Sequence, residues 1–223
     1  MIGQGGKRRG LTPEFYRAKL IERLAAKGIH DERVLEAMGR VPRHEFVDAA
    51  WDLRKSYEDT ALPIGRGQTI SQPFVVALMT QALLEGREAR HVLEVGTGCG
   101  YQTAVLAELV DRVYSVERIR ALNQSAERRL RGLNYMRVYL NHGDGHEGWA
   151  QQAPFDGIIV TAAAAQVPEA LLTQLAPGGR LVIPVGAQDG QQLCRFTLKP
   201  DGGLSREILA GVSFVPMLAE KID

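Results

Sequence analysis

His91-Val92-Leu93-Glu94-Val95-Gly96-Thr97-Gly98-Cys99-Gly100 runs from a short, mostly apolar strand directly into three alternating glycines. Residues 91–95 have the composition of a strand buried on both faces of a sheet. The glycines permit a tight turn and leave no Cβ between the backbone and an approaching ligand. In open α/β sheets such a turn sits at the carboxyl ends of the strands, where ligands bind.

Downstream of this stretch the pattern alternates. Tyr101 to Leu109 reads as a helix, Arg112 to Val116 as a strand, Leu122 to Leu130 as a helix and Met136 to Leu140 as a strand. Phe155 to Val160 and Arg180 to Val185 are further strands, separated by a helix from Val167 to Leu175. Alternation of this kind predicts an α/β fold, a doubly wound and mostly parallel Rossmann-like sheet. Two more strands, Gln192 to Leu198 and Glu207 to Phe214, flank the turn Pro200-Asp201-Gly202-Gly203 and form a variant C-terminal pair.

Upstream the chain reads as helical. Thr12 can cap a helix opened by Pro13 and closed by Gly28, with Leu20, Ile21 and Leu24 on one face. Asp31 starts a second helix through Met38, stopped at Val41-Pro42, and His44 to Leu53 is a candidate third. Ser56 to Gly67 is punctuated as a loop, and a helix begins near Pro73 and runs towards Leu84. The expected organisation is a single domain over residues 1–223. Within it, residues 1–66 are a helical extension, and residues 67–223 hold the α/β core and the C-terminal strands.

Three details narrow the ligand. The spacing Gly96, Gly98, Gly100 is G-x-G-x-G, not the G-x-G-x-x-G of dinucleotide sites. Glu94 precedes the first glycine by two residues, where a carboxylate would repel a pyrophosphate but suit a ligand carrying an ammonium and a sulfonium. S-adenosyl-L-methionine is such a ligand. Glu117 ends the second strand, 21 residues after Gly96, where Rossmann-type sites place an acceptor for ribose hydroxyls. Each acid has a plainer reading, Glu94 as a solvated strand end and Glu117 as a favourable charge before the next helix. Gly143-Asp144-Gly145 would set a short carboxylate near an adenine edge, or is an ordinary Asx turn. Asp156 reads as structural, and Cys99 as a small packed side chain.

Composition removes other classes. With 45% hydrophobic and 24% charged residues and a formal net charge of +1, the chain is an ordinary globular composition without a basic stripe for nucleic acid. Aromatic content of 6% argues further against a single-strand reader. Lys7-Arg8-Arg9 reads as a frayed terminus. Cys99 and Cys194 are too few for a disulfide framework, and no apolar run reaches membrane-span length or forms a signal-peptide core. The expected location is cytoplasmic, with no membrane partner. The five histidines show no ligand spacing with one another or with the cysteines, so no metal is expected.

Gly67-Gln68-Thr69-Ile70-Ser71-Gln72-Pro73, Val92 to Ala104, and Leu175-Ala176-Pro177-Gly178-Gly179-Arg180-Leu181-Val182 together resemble the protein-L-isoaspartate O-methyltransferases. So do Asp31 to Met38 with Val41-Pro42-Arg43, and Phe214-Val215-Pro216-Met217. The resemblance spans roughly residues 12 to 218. It implies a Rossmann-like S-adenosylmethionine-dependent fold and methyl transfer to the α-carboxylate of L-isoaspartyl residues in damaged proteins. S-adenosyl-L-homocysteine is then the product, and the ester closes to a succinimide. It also implies a monomer whose partners are isoaspartyl peptides and proteins. By resemblance Ser71 is the catalytic residue, contacting the substrate carboxylate with Ile70, Phe214, Val215 and Pro216 around it. The implied cofactor set is Thr69, Ile70, Glu94, Gly96, Thr97, Gly98, Gly100, Glu117, Arg118, Asp144 and Gly145. Where many relatives carry His after the Pro of this segment, Phe74 and Val75 stand here. Read from the residues alone, Ser71 would simply cap the helix that follows. Other readings are a methyltransferase for a different acceptor and a non-catalytic binding module.

Overall fold

The computed structural model describes residues 12–187 and 190–223, so the basic cluster Lys7-Arg8-Arg9 lies outside the described residues. The N-terminal helices form where the capping residues predict. The side-chain oxygen of Thr12 accepts from Phe15 N ahead of α1 (Pro13–Ala26), and Asp31 accepts from Arg33 N ahead of α2 (Glu32–Arg40). Gly28, at φ +98°, makes the turn between them.

The predicted third helix is instead a short 3-10 turn, Arg43–Phe46, followed by the single-turn α3 (Leu53–Ser56). Asp52 divides the two, accepting from Lys55 N as a fresh N-cap. The expected loop from Ser56 to Gly67 contains the first strand of a hairpin, β1 (Leu62–Gly65), paired antiparallel with β2 (Gln68–Ile70). Leu62 pairs with Ile70 and both are buried, while Gly65, Arg66 and Gly67 turn through positive φ. The glycines do mark a turn; burial of these two apolar side chains is what makes its flanks strands.

Next come α4 (Pro73–Leu84), β3 (His91–Val95), α5 (Tyr101–Ala107), β4 (Arg112–Glu117), α6 (Arg120–Gly132) and β5 (Val138–His142). They are followed by β6 (Phe155–Val160), α7 (Glu169–Thr173), β7 (Leu175–Val185), β8 (Gln191–Leu198) and β9 (Leu204–Val212). The third predicted strand lies two residues further on than expected, because Val113 to Glu117 pair with Val138 to His142 and leave Met136 exposed.

Strand order is β5-β4-β3-β6-β7-β8-β9. The first five strands are parallel, and β8 and β9 follow in sequence as antiparallel additions at one edge. From β3 the chain winds outward through β4 to β5, then returns to lay β6 on the other side of β3. That reversal opens a crevice at the carboxyl end of β3. One apolar cluster joins α1, α2, α4 and α5 on one face of the sheet, and another, around Phe155, Leu171 and Leu181, fills the opposite face. After β9 the tail crosses the carboxyl ends of the parallel strands. Ala163 N donates to Val215 O at 2.8 Å, Met217 N to Ala163 O at 2.7 Å and Ile222 N to Arg118 O at 2.7 Å. Among the described residues no helix is long and apolar enough to cross a membrane.

Candidate active site

The glycine loop is held from both sides. Gly96 adopts φ +97°, and a Cβ there would stand 2.3 Å from Thr161 Oγ1. The Thr161 hydroxyl points to the carbonyl oxygens of Gly96, at 2.7 Å, and Val95, at 3.1 Å. On the other side Gly98 N donates to Glu117 Oε2 at 2.8 Å, and Ile119 N donates to Oε1 at 2.9 Å. The Glu117 carboxylate is thus fixed by two amides, with further lone pairs left to accept from a ligand. Gly145 completes the wall, since a Cβ there would come 2.5 Å from Val95 Cγ1.

Glu94 lies behind this loop and not in the crevice. Its side chain is fully buried, Oε2 accepts from Ser115 Oγ at 2.6 Å and from Thr103 Oγ1, and Oε1 has no partner. Burial pushes the carboxyl up to about 8, against the opposing effect of the two hydroxyls. A group in that state is largely uncharged at neutral pH, so the expected direct charge contact from Glu94 to a ligand is not what the structure places here. Thr97 belongs to the same buried chain through a 2.6 Å contact between its Oγ1 and Ser115 Oγ. Gly100 serves as the left-handed entry to α5 at φ +91°.

Two cavities meet at the crevice. The inner one, about 240 Å³, is walled by Gly96, Gly98, Glu117, Arg118, Ile119 and Gly145, with Met217 and Leu218 of the tail closing it. The outer cleft, about 770 Å³, contains Ser71, Val75, Gln191, Phe214 and Asp59. Thr69, Thr161 and Val215 line both. Several expected residues take other places. Ile70 turns into the core at 3% exposure, as its pairing with Leu62 requires. Pro216 borders the inner cavity and not the outer cleft. Asp144 faces a neighbouring cavity, with Oδ1 accepting from His146 N and Oδ2 from Glu220 N.

Ser71 is half-buried at the outer cleft, and its hydroxyl does not cap α4. The N-cap of that helix is Gln72, whose side chain makes no capping bond, and Phe74 N donates to Asp59 Oδ1 at 2.8 Å instead. Among the described residues nothing pairs with Ser71 Oγ, which leaves it free to orient a ligand. The other Asp59 oxygen is paired with Lys27 Nζ at 2.6 Å, which offsets the negative charge beside the cleft. Gln191 clamps the backbone of Phe214, donating to its carbonyl at 3.0 Å and accepting from its N–H at 2.6 Å.

Thr161, Gln191 and Asp59 were not singled out by their sequence context, and Met217 only as the end of the Phe214-Val215-Pro216-Met217 run, without a site role. Thr161 could have been found by position, because it directly follows β6 as the acid Glu117 ends β4. Asp59 reaches the site at the base of the hairpin, and Gln191 and Met217 through sheet order and the path of the tail. Cys99 is buried, with its thiol raised by burial, and Asp156 accepts from Arg90 N and His91 N, as small packed and structural residues.

An open α/β sheet with a glycine loop at its reversal point, an acid ending the next strand and the variant edge pair defines the class: a Rossmann-like S-adenosylmethionine-dependent methyltransferase fold. Residues 16–221 match the protein-L-isoaspartate(D-aspartate) O-methyltransferase family. A protein-L-isoaspartate O-methyltransferase of Halorhodospira halophila is 56% identical over 213 residues, 96% of each chain. One from Pseudomonas paraeruginosa is 56% identical over 93% of this chain and 98% of its own. A solved protein-L-isoaspartate O-methyltransferase superposes with a TM-score of 0.82 at 32% identity, over 90% of this chain and 65% of that longer one. A Plasmodium falciparum chain described as such an enzyme in complex with S-adenosyl-L-homocysteine gives 0.79 at 27% identity, over 91% and 98% of the two chains. The chain belongs to the protein-L-isoaspartate(D-aspartate) O-methyltransferase family.

Proposed function

We propose that this chain transfers the methyl group of S-adenosyl-L-methionine to the α-carboxylate of L-isoaspartyl residues in peptides and damaged proteins. S-adenosyl-L-homocysteine is released, and the ester starts repair through a succinimide. The observation that carries the site assignment is the uncommitted hydroxyl of Ser71 in a cleft that joins the glycine-loop cavity at Thr69, Thr161 and Val215.

The residues of the inner cavity fit the cofactor. Gly96 and Gly145 bring bare backbone to the cavity wall at places where a Cβ would collide with Thr161 or Val95, and Glu117 is presented as an acceptor for ribose hydroxyls. Val95, Val116 and Ile119 offer apolar walls to a flat ring. When bound, the cofactor supplies an electrophilic methyl group on a sulfonium. The chain's task is then alignment. A substrate carboxylate has a pKa of about 4, so it is already ionised at neutral pH and needs no general base. Ser71 Oγ donates one hydrogen bond to hold the attacking oxygen in line. The Phe214-Val215 backbone, fixed by Gln191, borders the cleft where the substrate main chain would lie.

In this reading the chain works as one methyltransferase domain. The described part of residues 1–66 packs into the core cluster shared with α4 and α5, which supports treating it as an extension and not a separate unit. A cytoplasmic setting, a monomeric state and the absence of nucleic-acid or membrane partners complete the proposal. The mixed charge and the two unpaired, buried cysteines are in keeping with it.

The test is transfer of labelled methyl from S-adenosyl-L-methionine to an isoaspartyl peptide and to its aspartyl twin. Base-labile label on the first alone is the expected result. Cofactor binding without any methyl ester would end this reading. Ser71→Ala should lower kcat by roughly 10- to 100-fold, the scale of a lost positioning contact, with cofactor affinity unchanged. Full turnover by that variant would remove Ser71 from its role while leaving the reaction intact.

A further inference from the structure

Arg43 is fully buried, an unusual place for a guanidinium. Its hydrogen-bond acceptors are all backbone carbonyls: Ser56 O at 3.0 Å from Nε, and Thr60 O at 3.3 Å and Ser71 O at 3.0 Å from Nη2. Nη1 is buried without a partner. The guanidinium carbon lies 4.7 Å from the centre of the Tyr101 ring. Burial works against the charge and lowers the group's pKa. An apolar side chain would fill this volume without desolvating a cation. What an apolar residue cannot do is hold three carbonyls from three points of the chain at once, which a planar five-donor fork can.

Those three points are informative. Ser56 ends α3 and Thr60 enters the β1-β2 hairpin, while Ser71 leaves it for α4. Arg43 therefore closes the hairpin at its base, at Ser71, which lines the outer cleft with its hydroxyl unpaired among the described residues. Tyr101 is the first residue of α5, immediately after Gly100 of the glycine loop. One side chain thus connects the Ser71 backbone to the helix that begins where the glycine loop ends. Nothing else in the hairpin makes that connection through Ser71 itself: Asp59 binds Phe74 N, and Gln72 Nε2 donates to Asp59 O.

We infer that Arg43 is a positioning residue for methyl transfer: by holding the Ser71 carbonyl while resting on Tyr101, it sets the acceptor-orienting hydroxyl at its working distance from the methyl-donor loop. The inference rests on the role of Ser71 proposed above. Since misplacing reacting groups by an ångström costs on the order of 100-fold in rate, the effect belongs in kcat and not in cofactor affinity.

The test is a double-mutant cycle on the full chain. Arg43→Lys, Ser71→Ala and the pair are assayed for kcat and KM with an isoaspartyl peptide, and for cofactor Kd by calorimetry. Arg43→Lys keeps the charge and loses the fork. Its kcat should fall roughly 10- to 100-fold, with peptide KM and cofactor Kd within about threefold. In the Ser71→Ala background the same change should cost less than about threefold, because the hydroxyl it positions is gone. Wild-type kcat in Arg43→Lys overturns the inference. So does a loss that multiplies fully with Ser71→Ala, or one that appears as weakened cofactor binding. Full turnover by Ser71→Ala alone would instead overturn the Ser71 reading, and this inference with it. If Arg43→Lys does not fold, Tyr101→Leu, which removes the ring under the guanidinium but keeps its carbonyl contacts, must show the same loss of kcat at unchanged cofactor Kd; wild-type kcat there overturns the inference.

Discussion

Replacing Glu94 with Gln should stabilise the protein in alkaline solution and do much less in acid. Glu94 is fully buried, Oε1 is unpartnered, and its carboxyl is raised from 4.5 to about 8 because burial disfavours the charged form. A carboxyl whose folded-state pKa lies above its unfolded value makes the native state bind the extra proton. Stability from this group is therefore whole below the unfolded pKa and is lost as pH rises towards the folded one. The two values imply a penalty of about 1 kcal/mol at pH 5.5 and between about 4 and 5 kcal/mol at pH 8.5. Gln has the shape of the protonated acid and does not ionise. Its amide can meet Ser115 Oγ and Thr103 Oγ1, the hydroxyls that now face Oε2. The advantage of Glu94→Gln over wild type should then grow by about 3 kcal/mol between those pH values. For a domain of this size that is on the order of 10 °C in Tm. Urea unfolding of both proteins at pH 5.5, 7 and 8.5, checked by thermal melts, measures it. A difference that is constant across the range, or that shrinks as pH rises, would refute the reasoning and place an ionised Glu94 beneath the loop.

Glu117→Gln leaves only one side-chain acceptor for the N–H groups of Gly98 and Ile119, now held by both oxygens. Titration calorimetry should show cofactor affinity reduced by roughly 10- to 100-fold, the scale of a broken charge-assisted pair of bonds; an unchanged Kd would contradict the placement. Gly96→Ala sets a Cβ against Thr161 Oγ1 at φ +97° and should lower both Tm and cofactor affinity. Adding Thr161→Ala removes the collision but not the left-handed backbone, so melts of the double variant should recover part of the loss; full recovery would mean that the collision alone mattered.

Legibility in the sequence followed sequence distance. The strand, glycine loop and acid from His91 to Glu117 form one continuous βαβ segment, and period, glycine spacing and strand-end acid all bear on the same turn. Ser71 was legible only as a cap or by resemblance, because the residue that takes over capping, Asp59, lies fifteen residues upstream of Phe74 and is brought to α4 across the base of a hairpin. That hairpin was itself hidden, since Pro63 and the Gly65-Arg66-Gly67 turn outweigh strands of four and three residues. Glu94 shows a different limit. Its position could be read, but the sign of its effect depends on burial behind the loop and on two hydroxyls, Ser115 and Thr103, that only folding brings together. Thr161 became a site residue only through β6 lying beside β3, and Val215, named by resemblance, reaches both cavities because the tail crosses above β3 and β6.

The two halves of the site are consequently built in different ways, and this bears on how each tolerates change. The inner cavity has its floor on the ends of β3 and β4 and the turns that follow them, whose parallel pairing also forms the core, while the hairpin turn and the tail supply its other walls. The outer cleft draws on the segment from Asp59 to Val75, on Gly190 and Gln191, and on Gly211 to Val215, which pack at the edge of that frame. Changes at residues that line the cleft alone, such as Ser71, Val75 or Gln191, can reshape what it accepts without touching the inner cavity. Thr69, Thr161 and Val215 are the exceptions, because they line both cavities. Arg43 makes the outer half answer to the inner one: it ties the base of the hairpin to the helix that leaves the glycine loop. A fully buried guanidinium is a costly way to fill a core, and its position at this junction fits a requirement for fixed distance between the hairpin that carries Ser71 and the helix that leaves the glycine loop.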